Sequence, residues 1–156
     1  MRSISIDFLG NHQEYIEEVA DIWTNEWSQD RDFRTPEEKI ARFKSRLSTK
    51  QPPFILLAFE GDVLVGTAAL LLTDLDSRKD IGPWLGGVLV KKKYRGSGVA
   101  SMLIGSVVEE AKALGFKKLY LHTETAQGLY EKLGWTYLEH TINDHNEESD
   151  IYFLDI

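Results

Sequence analysis

The chain has 156 residues, a length that suits one domain, 1–156, and leaves little room for two. It contains no cysteine, which excludes disulfides, thiolate nucleophiles and thiolate zinc sites, and no apolar run nears the roughly 18 residues of a membrane span. Its formal net charge of −7 argues against nucleic acid as the main partner, because a phosphate backbone needs a broad positive field.

The start, "MRSISIDFLG", alternates like a strand and lacks the apolar core of a signal peptide, so a cytoplasmic protein without a membrane partner is expected. Residues 3–8 give the first strand. "NHQE" (11–14) offers Asn11 as an N-cap, and Ile16, Val19, Trp23 and Trp27 follow at helical spacing. "TPEE" (35–38) opens a second helix, with Thr35 as cap, Pro36 at the first helical position and Ile40, Phe43 and Leu47 on its apolar face. Residues 54–72 are two apolar runs hinged at Gly61-Asp62, a hairpin whose near-continuous apolarity predicts a sheet covered on both faces. A polar loop (73–83) leads to a strand, "WLGGVLV" (84–90), whose two glycines point to a bulge or a close backbone approach. The helix from Val99 to Leu114 ends at Gly115, and residues 117–123 form a strand parallel to 84–90. A short helix (126–133) and a hairpin around "NDHNEE" close the chain. The order is β-α-α-β-β-β-α-β-α-β-β, an α/β (α+β) arrangement with a mixed central sheet.

The stretch "VKKKYRGSGVASML" (90–103) joins a basic run to two glycines that open a helix. It is not a Walker A loop, since no glycine is followed by lysine, and it lacks the third glycine of the dinucleotide fingerprint. Two readings of it stay open: a plain βα turn, or an anion site in which backbone N–H groups of residues 95–100 point along the helix axis at a phosphate.

Arg95-Gly96-Ser97-Gly98-Val99-Ala100 resembles R/Q-x-x-G-x-G/A, the acyl-CoA motif of the GNAT superfamily of N-acetyltransferases, and lies between the fourth strand and the third helix as in that family. "AQGLYEKLGW" (126–135) is similar to the family's A-x-x-F-Y-x-K-x-G-F segment, and the order of elements agrees along nearly the whole chain. The resemblance implies a GNAT fold splayed between its fourth and fifth strands. Acetyl-CoA would lie in the opening, with the pantetheine along Val88, Leu89 and Val90 and the pyrophosphate on the amides of Arg95, Gly96, Ser97, Gly98, Val99 and Ala100. It implies acetyl transfer by direct attack of an amine on the thioester, with Tyr130 protonating the departing sulfur. Tyr130 also fits an amphipathic core position beside Leu129 and Leu133.

The chain departs from the family at two places. Thr123 stands where many members carry asparagine, so its pantetheine contact would differ, and Trp84 stands where some carry a catalytic glutamate. The general base is unassigned, with Glu26, Asp74 and Asp76 as carboxylates able to reach the acceptor side. Glu26, Trp27, Asp76, Trp84 and His122 are the candidate acceptor contacts. No metal is expected: His140, Asp144, His145 and Glu147 read as a solvated hairpin, and "DLDSR" (74–78) lacks the glycine of a calcium loop. The expected partners are acetyl-CoA and an amine, with a homodimer admitted. A non-catalytic acyl-CoA-binding or sensor module of the same fold is the alternative.

Overall fold

The computed structural model describes residues 3–28 and 35–156. Seven strands form one sheet: β1 (Ile4–Phe8), β2 (Phe54–Glu60), β3 (Val63–Leu71), β4 (Trp84–Val90), β5 (Lys118–Thr123), β6 (Thr136–Ile142) and β7 (Glu148–Asp155). Their spatial order is β1-β2-β3-β4-β5-β7-β6. All neighbours are antiparallel except β4 and β5, which are parallel because α3 (Val99–Ala113) crosses between them. The remaining helices are α1 (Ile16–Trp23), α2 (Pro36–Lys44) and α4 (Gln127–Lys132).

The expected double covering of the hairpin is present. Along β2, Phe54, Leu56 and Ala58 pack with Val99, Leu103 and Val107 of α3. Ile55, Leu57 and Phe59 pack on the other face with Val19 and Trp23 of α1 and Phe43 of α2. Period-two side-chain alternation sends consecutive apolar residues to opposite cores, so the strand has no polar face.

The start of α2 is as read: Thr35 Oγ1 accepts from the Glu38 amide (3.1 Å) and Pro36 opens the helix. The start of α1 is not. Asn11 does not cap it; the Asn11 amide donates to Asp7 Oδ1 (2.9 Å) and His12 Nε2 lies 2.9 Å from Asp7 Oδ2. These side chains fold the segment into two short 3-10 turns, and α1 begins only at Ile16. It also stops early, at Trp23, and continues as one π-helical turn (Thr24–Ser28) that carries Glu26 and Trp27.

The expected bulge lies in β4. Between the pairs Thr67↔Leu89 and Ala69↔Gly86, β4 holds one residue more than β3. Gly87 has φ +58°, and a Cβ there would lie 2.2 Å from Cζ2 of Trp23. The indole Nε1–H of Trp23 donates to Thr67 Oγ1 (2.9 Å), whose hydroxyl donates to the Gly87 carbonyl (2.7 Å). Gly87→Ala should therefore destabilise the fold by about 2–4 kcal/mol, combining left-handed backbone strain with overpacking on the indole. Chemical denaturation checks this, and an unchanged midpoint would remove the Trp23 contact from the fold's requirements.

Candidate active site

The parallel pairing of β4 and β5 amounts to one residue pair, Trp84↔Tyr120, reinforced by the Tyr120 amide donating to the Pro83 carbonyl (3.0 Å). Beyond it the strands part, and from Leu85 onward that edge of β4 has no strand partner. A cleft of about 520 Å³ opens there, a size suited to a small molecule. Its floor is Gly86, Gly87 and Val88 with His122 to Ala126, and α1, α2 and the β6–β7 turn form the walls.

At the other end of β4 the chain makes a 3-10 turn (Lys92–Tyr94) and then two left-handed glycines, Gly96 (φ +80°) and Gly98 (φ +88°). No side chain caps α3, and the Met102 amide is the first of its turn to find a helical acceptor, the Gly98 carbonyl (3.1 Å). Nothing lies within 4 Å of a Cβ placed at either glycine, so the turn stands open. Its amides and the dipole of a 15-residue helix suit an anion. The side chains do other work. Arg95 Nε donates to the Val90 carbonyl (2.8 Å), tying the turn to the strand end. Ser97 Oγ donates to the Tyr94 carbonyl (2.6 Å). Lys91 Nζ is bound to Glu18 of α1 (2.5 Å), leaving Lys92 and Lys93 as the exposed lysines of the run.

Of the candidate residues, Val88, Thr123, Tyr130, Glu26, Trp27, Asp74 and His122 line the one cleft. Leu89 and Val90 are buried outside it, and residues 95–100 belong to the turn at α3. Two acceptor candidates lie elsewhere. Asp76 faces solvent, 80% exposed and 3.7 Å from Lys79. Trp84 is fully buried, its indole donating to the Ile81 carbonyl (2.9 Å), and it acts as packing beneath His122 (ring centroids 6.2 Å apart). Thr123 Oγ1 accepts from the Ala126 amide (2.9 Å) just before α4, which orients its hydroxyl at the cleft's edge.

His122 is the most strongly perturbed group in the cleft. Its Nε2 lies 3.2 Å from Asp74 Oδ2, and its Nδ1 lies 3.1 Å from Glu124 Oε2 and 3.0 Å from Ser149 Oγ. Burial alone would lower its pKa, but hydrogen bonds and charge from Asp74 and Glu124 reverse this and push it up to about 10. The ring is thus an imidazolium at neutral pH and does not serve as a base. Glu124, although half-buried, is held below the usual carboxylate range by His122 and by hydrogen bonds from Ser149 and Asn143. Glu124 escaped the sequence reading. Its signal was its place two residues after His122 at a strand end, which puts both side chains on one face.

Tyr130 is buried against Trp135 (ring centroids 6.0 Å apart), as its core position predicts, and it also lines the cleft. Burial, with the nearby charge of Glu124, pushes its phenol up to about 12, and the proton stays on oxygen at neutral pH.

The Acetyltransferase (GNAT) family model matches residues 14–135 of the chain. The chain belongs to the GNAT acetyltransferase family. It is 31% identical over 103 residues to the uncharacterized N-acetyltransferase YsnE of Bacillus subtilis (strain 168); the match spans 62% of this chain and 64% of that relative's length. Among solved structures it resembles an aminoglycoside 6'-N-acetyltransferase complexed with coenzyme A (TM-score 0.75, 16% identity, 98% of this chain and 96% of that one). It also resembles yncA of Salmonella typhimurium, a putative acetyltransferase with its cofactor acetyl-CoA (TM-score 0.70, 16% identity, 97% and 93%). At such identities the likeness establishes the fold.

The His122 pair of ion contacts has a signed pH dependence. A folded pKa near 10 against an ordinary 6.5 means that the stabilisation is complete below about pH 6.5 and is lost as pH rises toward 10. The stability advantage of the wild type over His122→Gln should therefore shrink steadily across that window, read by thermal melts at several pH values. An advantage independent of pH would show that the ring acts by packing alone.

Proposed function

We propose that this protein transfers the acetyl group of acetyl-CoA to a primary amine by direct attack in a ternary complex. The observation that carries the reading is the junction of two features on β4. The strand loses its β5 partner after one residue pair and then runs into an open, uncapped turn of two left-handed glycines. An extended pantetheine lies along the vacated strand edge, and the pyrophosphate sits on the amides of residues 95–100, where backbone N–H groups and the α3 dipole offset its charge. Gly96 and Gly98 allow this approach because they present no Cβ. The thioester then reaches the cleft beside Val88, where a strand amide polarises its carbonyl as the tetrahedral oxyanion forms.

The amine enters from the side of α1, α2 and the β6–β7 turn. It loses the proton of its ammonium form to solvent and attacks the carbonyl carbon; as the C–S bond breaks the nitrogen sheds a second proton, and the sulfur leaves as a thiolate that takes one proton from water. Holding both reactants in one small cleft supplies much of the acceleration. Tyr130 meets the departing sulfur as a donor. Because its pKa of about 12 lies above that of an ordinary thiol, near 8.5, it stabilises the leaving group through a hydrogen bond that tightens as C–S cleaves. With His122 already protonated, the amine's proton leaves by way of Asp74, Glu124 or Glu26, or through water between them and bulk solvent.

Tyr130→Phe should reduce kcat by about 10- to 100-fold with little change in acetyl-CoA affinity, measured by thiol release and calorimetry. Unchanged turnover at every pH would remove Tyr130 from the chemistry. Acetyl-CoA binding without turnover across a broad panel of amines would leave a binding module in place of an enzyme.

The cradle carries its own ranking. A valine at Gly98 should abolish coenzyme A binding, because it needs the left-handed conformation and fills the anion's approach. Replacing Lys92 and Lys93 by alanine should weaken binding only a few-fold, as exposed charges contribute little. Titration calorimetry orders the two, and the reverse order would assign the grip to side-chain charge.

A further inference from the structure

Thr67 lies in the middle of β3, fully buried among apolar neighbours. Its Oγ1 accepts from the Trp23 indole N–H (2.9 Å) and donates to the Gly87 carbonyl (2.7 Å). The hydroxyl has one proton. An indole only donates, so that proton goes to Gly87, and the direction of the chain of hydrogen bonds is fixed. The indole is itself held, edge-on to Phe43 (ring centroids 5.0 Å apart) and against the Cα of Gly87.

Gly87 and Val88 share one planar trans peptide group. Its carbonyl is held toward Thr67, so its N–H, the Val88 amide, points the opposite way. The ladder agrees. The Lys91 amide donates to the Val65 carbonyl on β3 (2.8 Å), and successive residues of a strand turn their amides to opposite sides. Lys91 and Leu89 therefore face β3, while Val88 and Val90 face the other edge, where Arg95 Nε meets the Val90 carbonyl (2.8 Å). Among the described residues β4 has no strand partner on that edge beyond Trp84, and Val88 lines the cleft there.

We infer that Thr67 and Trp23 are positioning residues for the transfer: together they aim the Val88 amide at the thioester oxygen and strengthen it as a donor. This rests on the acetyl-transfer reading above and names what holds the amide that meets the oxyanion. Two effects combine. Gly87 has no side chain to restrict its own rotation, so the bound carbonyl is what stops the peptide from turning. A carbonyl that accepts a hydrogen bond also makes the N–H of its own peptide a better donor. The indole acts on the hydroxyl in the same way, so polarisation adds along the chain. The gain is largest when negative charge develops on the thioester oxygen, so it falls on kcat more than on affinity.

The test uses the whole protein with acetyl-CoA isotope-labelled at the acetyl carbonyl. Infrared difference spectra follow the bound carbonyl, and thiol release gives kcat. In the wild type the carbonyl band should lie below that of free acetyl-CoA. Thr67→Val should move it back toward the free position and cut kcat by about 10- to 100-fold, while the dissociation constant of acetyl-CoA changes by less than about twofold. Thr67→Ser keeps the hydroxyl and should restore both readouts. Ile6→Ala loosens the core at β1, two strands from Thr67, and should leave both as in the wild type. Trp23→Phe serves if the valine protein melts early: without the indole donor the hydroxyl can turn, and the band should shift in the same direction.

A wild-type band and kcat in Thr67→Val or Trp23→Phe would overturn the inference. So would a serine variant that fails like the valine one, or an Ile6→Ala protein that shows the same losses. Failure of the acetyl-transfer reading is seen separately, as absence of thiol release with every amine. The band of bound acetyl-CoA then still decides whether the relay aims the amide, and absence of acetyl-CoA binding overturns both.

Discussion

The sheet is organised around the extra residue that β4 carries at Gly87. The indole of Trp23 fills the space a Cβ would take, and Thr67 links that indole to the Gly87 carbonyl through two short hydrogen bonds. One buried hydroxyl thus holds together α1, β3 and the bulge. The bulge turns β4 away from the course it would need to stay paired with β5, and that pairing ends after one residue pair. The cleft, the exposed strand edge and the position of the glycine turn all follow from this one irregularity. Its cost in broken ladder hydrogen bonds is tolerated because the flanking strands β2 and β3 are packed on both faces.

Regular structure was readable in the sequence because it is enforced by repetition. The consecutive apolar residues of β2 could satisfy two cores in only one way, and the Thr35-Pro36 start needed nothing beyond its own residues. The two glycines of "WLGGVLV" announced a bulge because a strand interior gains nothing from glycine otherwise. The start of α1 was misread because capping is a competition. Asn11 can cap a helix, but Asp7, four residues earlier, offered it and His12 a partner that local sequence rules do not weigh.

The site was legible where backbone makes it and illegible where side chains from distant segments meet. The glycine turn and Tyr130 are each carried by a short contiguous stretch. The imidazolium of His122 is made by Asp74, forty-eight positions away by numbering, and by Glu124, two residues on and just past the end of β5, and only the fold brings the first of these near. Trp84 shows the reverse error. Its place beside the cleft was right, but a large aromatic side chain at the last paired position of a parting sheet is taken up by the core. Thr123 lines the cleft as its position at the strand end suggested, and its hydroxyl also accepts from the Ala126 amide in the turn that leads to α4, a contact that local spacing does not announce.

The division of labour between backbone and side chain also orders the two ligands. On the proposed reading the end of β4 and the start of α3 would grip through amides, which are the same whatever the side chains are, so this half of the site would serve one invariant cosubstrate. The outer walls of the cleft are built from side chains on α2, the π-helical turn after α1 and the β6–β7 turn, none of which carries a ladder hydrogen bond to β4. Those side chains can change without disturbing the bulge or the glycine turn. His122 sits on β5, the far lip of the splay: its ring makes ion contacts with Asp74 on the loop before β4 and with Glu124 just past the end of β5, and lies within hydrogen-bond distance of Ser149 Oγ on β7. The ring therefore ties the loop before β4 to the end of β5 across the splay, and the same ring offsets one of the two carboxylate charges it touches, so its loss would both release that tie and leave Asp74 and Glu124 facing each other uncompensated.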